Sequence, residues 1–149
     1  NHISNYAQSL KEKSKELEAM EHLSKENQYL HKREAFLCNQ LIKQTELFNK
    51  LKTTKYIDNK LWQEIKEKID LLFDNYTKRL CHQIPSLTDG DIQICCLIKL
   101  RFSNGDIANM LAISPTSVSK RKLRLKERIV QEIGSLGENQ SLDLWLMEY

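Results

Sequence analysis

The chain has 149 residues, 40% of them hydrophobic and 29% charged, with a net charge of +3 and only 7% aromatic residues. Its two prolines and four glycines all lie from Pro85 onward, so the first half holds no helix breaker, and no alternating strand pattern bounded by turn residues occurs. An all-α fold is expected. Secretory signals and apolar runs of about 20 residues are absent. Cys38, Cys81, Cys95 and Cys96 have neither a C-x-x-C nor a paired-His spacing, which predicts reduced thiols in a cytoplasmic protein with no metal site and no cofactor.

Residues 1–55 carry heptad spacing. Leu23, Leu30, Leu37 and Leu51 fall on one register, with Gln44 in the missing place, and Met20, Asn27, Glu34, Leu41 and Phe48 interleave with them. This is an a/d seam with leucine at d, the pattern of a coiled coil. The predicted dimerisation residues are Met20, Leu23, Asn27, Leu30, Leu37, Leu41, Phe48 and Leu51. Ile3, Leu10 and Leu17 lie in a second register, joined to the first by a stammer. Asn27, Glu34 and Gln44 occupy core slots and weaken the seam. A long helix folded back on its own chain is the competing arrangement, but the apolar stripe is narrow for that, which favours a homodimer. Because the chain begins at Asn1 rather than Met, it is expected to belong to a longer protein.

Residues 56–84 form a helical linker. After Thr53 and Thr54, Asp58 is a good N-cap for one helix running to Leu80. Leu61, Trp62, Ile65, Ile69, Leu72, Phe73, Tyr76 and Leu80 give it a broad apolar face. Pro85 ends it.

Residues 85–149 read as a helix-turn-helix domain with a short C-terminal helix. Thr88 caps a first helix that runs to about Leu100 and buries Ile92, Cys95, Cys96 and Leu100. Ser103 caps a second helix whose inner face is Ile107, Met110 and Leu111. Ser114-Pro115 starts a third, proline being tolerated at the first helical position. Val118, the stem of Lys122, Leu125 and Ile129 line its inner face, and the opposite face carries Thr116, Ser119, Lys120 and Leu123, flanked by Arg121 and Arg124. Between Ser114 and Ile129 six basic residues stand against Glu127 alone, a local charge of +5. That excess suits phosphate, though a solvated basic face would look the same. Past Gly134 and Gly137, residues 141–149 are expected to pack on their own chain or on a partner subunit.

The run from Leu87 to Ile129 resembles the LuxR/GerE-type output domain. Leu87-Thr88, Ser103-Asn104, Asp106-Ile107-Ala108, Leu111, Ile113-Ser114 and Ser117-Val118 carry the likeness. The resemblance implies a winged-helix-like, LuxR C-terminal-type domain that binds double-stranded DNA. By position, Ser119, Lys120 and Leu123 resemble base readers. Thr116, Ser117, Arg121 and Lys122 resemble phosphate contacts, with Arg124 beside them and Ser103 meeting the backbone. Arg101 stands where the family has a turn glycine and must adopt a left-handed conformation or another path. Less specifically, the whole chain resembles the C-terminal part of Bacteroidetes regulators, in which tetratricopeptide repeats and often a transmembrane helix precede a coiled coil and a LuxR-like output domain. Such a chain would be the cytoplasmic end of a sensor-regulator, with RNA polymerase as a further partner.

Catalytic signatures are missing: there is no Gly-rich phosphate loop, nucleophile elbow or metal-ligand cluster. No enzyme is expected. Two other readings stay open, a coiled-coil scaffold whose helix-turn-helix binds protein and a sigma-factor-like promoter-binding module.

Overall fold

The computed structural model describes residues 2–138 and 140–149, and among them lie seven helices and no β-strand. The chain is all-α. The helices are α1 (His2–Lys52), α2 (Asn59–Leu72), α3 (Tyr76–Gln83), α4 (Asp89–Lys99), α5 (Asn104–Leu111), α6 (Pro115–Ile133) and α7 (Leu142–Glu148). The wing of a winged-helix-like domain is therefore missing among the described residues. Gly134 and Gly137, both at positive φ, turn the chain directly from α6 towards α7. No helix of the described residues is long and apolar enough to cross a membrane.

Two compact units divide the chain, residues 1–42 and residues 43–149. The first is described as helix alone, about 60 Å long at ~1.5 Å per residue. Its large apolar side chains are exposed, among them Leu10, Leu17, Met20, Leu23, Leu30 and Leu37. Lys, Glu and Asn fill the turns between them, so the helix has no continuous apolar flank of its own to fold onto.

The second unit has one hydrophobic core, and α4 runs through it. Ile92, Ile94, Cys95, Cys96, Leu97 and Ile98 are buried on all sides of that helix, as expected of a helix enclosed by others. Helices α2, α6 and α7 pack on α4, while α5 packs on α6. The last turns of α1 join this core through Leu47 and Leu51. Leu51 is fully enclosed, and the half-buried Phe48 ring stacks on Phe102 at 4.4 Å and 5°. Both were expected on the dimer seam. Their own chain covers them instead, because Leu47 and Leu51, one turn apart, turn this face of α1 into the core.

The expected single helix from Asp58 to Leu80 is two helices. Asp58 does cap α2, its carboxylate accepting from Leu61 N at 2.8 Å. Phe73-Asp74-Asn75 then interrupt the helix, with Asp74 and Asn75 left-handed at φ 51° and 55°. Asp and Asn are the residues best able to take that conformation. Across the break, Asp70 accepts from Thr77 N and Oγ1 (2.7 and 2.6 Å), and Arg79 donates to the carbonyls of Asp74 and Phe73 (2.7 and 2.9 Å). The apolar steps of three and four pass straight through the break, which hides it from periodicity.

Candidate nucleic-acid interface

Local capping fixes where each helix of the basic region begins. Thr88 and Asp91 form a reciprocal capping box on α4, at 3.1 and 3.0 Å. Arg101 adopts the left-handed conformation, φ 68°, and turns the chain towards Ser103, which caps α5 by accepting from Asp106 N. Ala112 is left-handed too, φ 54°, and closes α5 three residues before α6. Ser114 Oγ then accepts from Ser117 N at 3.1 Å, and Pro115 occupies the first turn of α6.

Val118, Leu125 and Ile129 are buried and lock one face of α6 onto the core. The opposite face lies in solvent: Thr116, Ser119, Lys120, Arg121, Leu123 and Arg124 are all exposed, and Ser117 is half-buried. Thr116, Lys120 and Leu123 follow at steps of four and three, as do Ser117, Arg121 and Arg124, so two adjacent stripes share one side of the helix. Leu123 is 59% exposed, an apolar side chain amid cations. Ser117 Oγ pairs with Ser114 Oγ at 2.9 Å, and Ser119 Oγ donates to Pro115 O at 3.3 Å. Ser103, at the N-terminus of α5, is exposed as well.

Two of the six cations are already spent inside the fold. Lys122, expected among the phosphate contacts, bonds both carboxylate oxygens of Asp143, at 3.0 and 3.2 Å, with only 13% of its side chain exposed. Its position beside Val118 and Leu125 turns the stem inward, where α7 supplies the carboxylate. Arg128 is paired with the buried Asp91, the same carboxylate that completes the α4 capping box. Among the described residues, Lys120, Arg121, Arg124 and Lys126 form no ion pair. Lys126 is exposed but lies on the flank away from Arg121; charge alone made it one of the six, and nothing in the spacing distinguished it. The partners of Lys122 and Arg128 lie 21 and 37 residues away, beyond the reach of local pattern.

Helix α7 is docked through its backbone as much as its side chains. Leu142 and Leu146 are buried against the core. Tyr76 Oη donates to Leu146 O (3.2 Å), Lys99 Nζ to Met147 O (2.6 Å) and Arg79 Nη1 to Tyr149 O (2.8 Å). Lys99 also sits over the rings of Phe73 and Tyr76, 5.1 Å from each centroid. Burial, with Arg79 and Arg101 adding like charge, pulls its pKa down. The tail thus packs within its own chain.

Comparison of the chain with protein-family models, with curated proteins and with solved structures gives no match.

Proposed function

We propose that this chain is a sequence-specific, double-stranded-DNA-binding transcription regulator of LuxR-like helix-turn-helix type, dimerised through α1. The observation that carries the reading is the joint exposure of Lys120, Arg121 and Arg124 on one side of α6, without ion pairs among the described residues, beside the small polar residues of its capped N-terminus. Helices α5 and α6 form the reading head. Lys120 reaches base edges, where a cation meets the acceptors of guanine. Ser119 lies beside it, and Leu123 suits a thymine methyl group. Arg121, Arg124, Thr116, Ser117 and Ser103 meet phosphates and fix the register. The exposed leucines of residues 2–42 support self-association. Such a regulator works in the cytoplasm beside RNA polymerase.

Binding of the purified chain to randomised duplex DNA, followed by fluorescence anisotropy over a salt series, tests this. Affinity should fall steeply with salt, with a slope corresponding to roughly three to five phosphates per copy. Arg124→Ala should weaken all sequences alike, and Lys120→Ala should change which sequences are preferred. If no duplex binds even at low salt, the proposal fails. Leu123 favours one second reading, a protein-docking face; in that case Leu123→Ala would abolish capture of a protein while Lys120→Ala would not.

A further inference from the structure

The seam of residues 2–42 admits a second copy in two orientations, and these differ in the treatment of its polar members. We infer that the second copy lies parallel and in register, an inference that rests on the self-association proposed above.

In a parallel pair, every core residue meets its own counterpart. Met20, Leu23, Leu30 and Leu37, all exposed on the single helix, become apolar layers. Asn27 meets the second copy's Asn27, and the two carboxamides exchange a hydrogen bond inside the seam, each supplying a donor and an acceptor. Glu34 also meets its counterpart, but Arg33 precedes it in the flanking position and places a guanidinium next to the carboxylate of the other copy. Glu26 and His31, on the two flanks, face each other across the pair. Arg33 beside Glu34 therefore adds charge complementarity to the apolar match.

An antiparallel pair sets first-type core positions against second-type ones. The two staggers that keep most leucines inside place Asn27 against Leu30 or Leu37, and Glu34 against Leu23 or Leu30. Each such layer buries an amide or carboxylate against an aliphatic side chain with no partner, which is unfavourable. Shifting one step to pair Asn27 with Gln44 demands Phe48 opposite Leu23 and Leu51 opposite Met20. Phe48 is stacked on Phe102 and Leu51 is fully enclosed, so neither is available. Shifting the other way sets Glu34 against Glu16 and Leu37 against Lys13. Only the parallel register gives both polar core residues a partner.

Disulfide trapping on the full chain decides the orientation. With the exposed Cys38 and Cys81 changed to serine and the buried Cys95 and Cys96 kept, Leu23→Cys is oxidised in a glutathione buffer and read on a non-reducing gel, alongside sedimentation at the same concentration. A parallel pair brings the two new thiols within disulfide reach, whereas the antiparallel staggers hold them roughly 16 Å or more apart along the axis. The expected result is a majority of cross-linked dimer, repeated with Leu37→Cys in case the first variant weakens the seam. Asn27→Leu should tighten self-association by on the order of tenfold and lower the cross-linked fraction, because the orientation is no longer imposed. Dimeric sedimentation without a cross-link from either thiol overturns the parallel register and leaves self-association standing. A monomer at every concentration overturns both.

Discussion

Within α1, leucines on the same heptad spacing meet opposite fates. Leu23, Leu30 and Leu37 are 57%, 55% and 46% exposed, whereas Leu51, on the same register about four turns beyond Leu37, is 0% exposed, and Leu47, off that register but one turn before Leu51, is 4% exposed. Local sequence treats the two groups alike, since both sit among Lys, Glu and Asn. The difference lies in what approaches from elsewhere: Leu47 and Leu51 belong to the core that α4 runs through, with Phe48 beside them stacked on Phe102, whereas among the described residues Leu23, Leu30 and Leu37 stay exposed. A hydrophobic period therefore announces that a face requires burial, but it does not say whether the cover comes from the same chain or from another.

The strongest test of that contrast is deletion of the side chains. Leu51→Ala should destabilise the 43–149 unit by about 2–5 kcal/mol in chemical denaturation, because its loss leaves a cavity. Leu23→Ala should shift the same transition by less than about 0.5 kcal/mol, while weakening any concentration-dependent association. Equal effects from the two substitutions would erase the distinction.

Asp91 shows how much of the enclosed unit hangs on one carboxylate. Asp91→Ala removes half of the α4 capping box and the partner of Arg128; it should cost about 1–3 kcal/mol, kept low because Arg128 is partly solvated.

Alkali should act on the enclosed unit alone. Burial raises the Cys96 thiol to about 12 and pushes Cys95 and the Tyr76 hydroxyl up as well. Groups that hold their protons more tightly when folded favour the folded state below their unfolded pKa. For the thiols that contribution is lost as pH climbs above about 8.5, by up to about 1.4 kcal/mol per pH unit for each thiol that must ionise. Lys99, lowered by burial, works in the opposite direction, but as a single half-exposed group it does not reverse the trend. Thermal melts from pH 7 to 11 should show a falling midpoint; a flat profile would mean the thiols are not enclosed.

The smallest expected effect concerns Ala112. Its left-handed φ of 54° closes α5 where glycine is unstrained. Ala112→Gly should stabilise the unit by up to about 1 kcal/mol in the same melts, less whatever glycine adds to the freedom of the unfolded chain.

Local chemistry was well written in the sequence. Asp58, Thr88, Ser103 and Ser114 each announced a helix start, because a cap is settled within three or four residues. Features made by distant residues were not legible. The interruption at Asp74-Asn75 hid beneath an unbroken apolar period, and only that dipeptide hinted at it. Nothing near Lys122 signalled Asp143, and nothing near Phe48 signalled Phe102, because those pairs exist only after the chain has folded back. The exposed face of α6 was readable for the complementary reason: its side chains are defined by the buried Val118, Leu125 and Ile129 on the other side.

The three bonds that tie Tyr76, Lys99 and Arg79 to carbonyl oxygens of Leu146, Met147 and Tyr149 have one more consequence. Every residue type presents the same carbonyl, so this anchorage is indifferent to which amino acids occupy those three places. Substitution at these places should leave the three bonds themselves intact, provided the spacing is kept and an apolar side chain still fills the core at Leu146. Removing a single residue between Leu142 and Leu146 would rotate all three carbonyls by about 100° and release the three donors at once. For these three bonds the segment is a ruler, strict about its length.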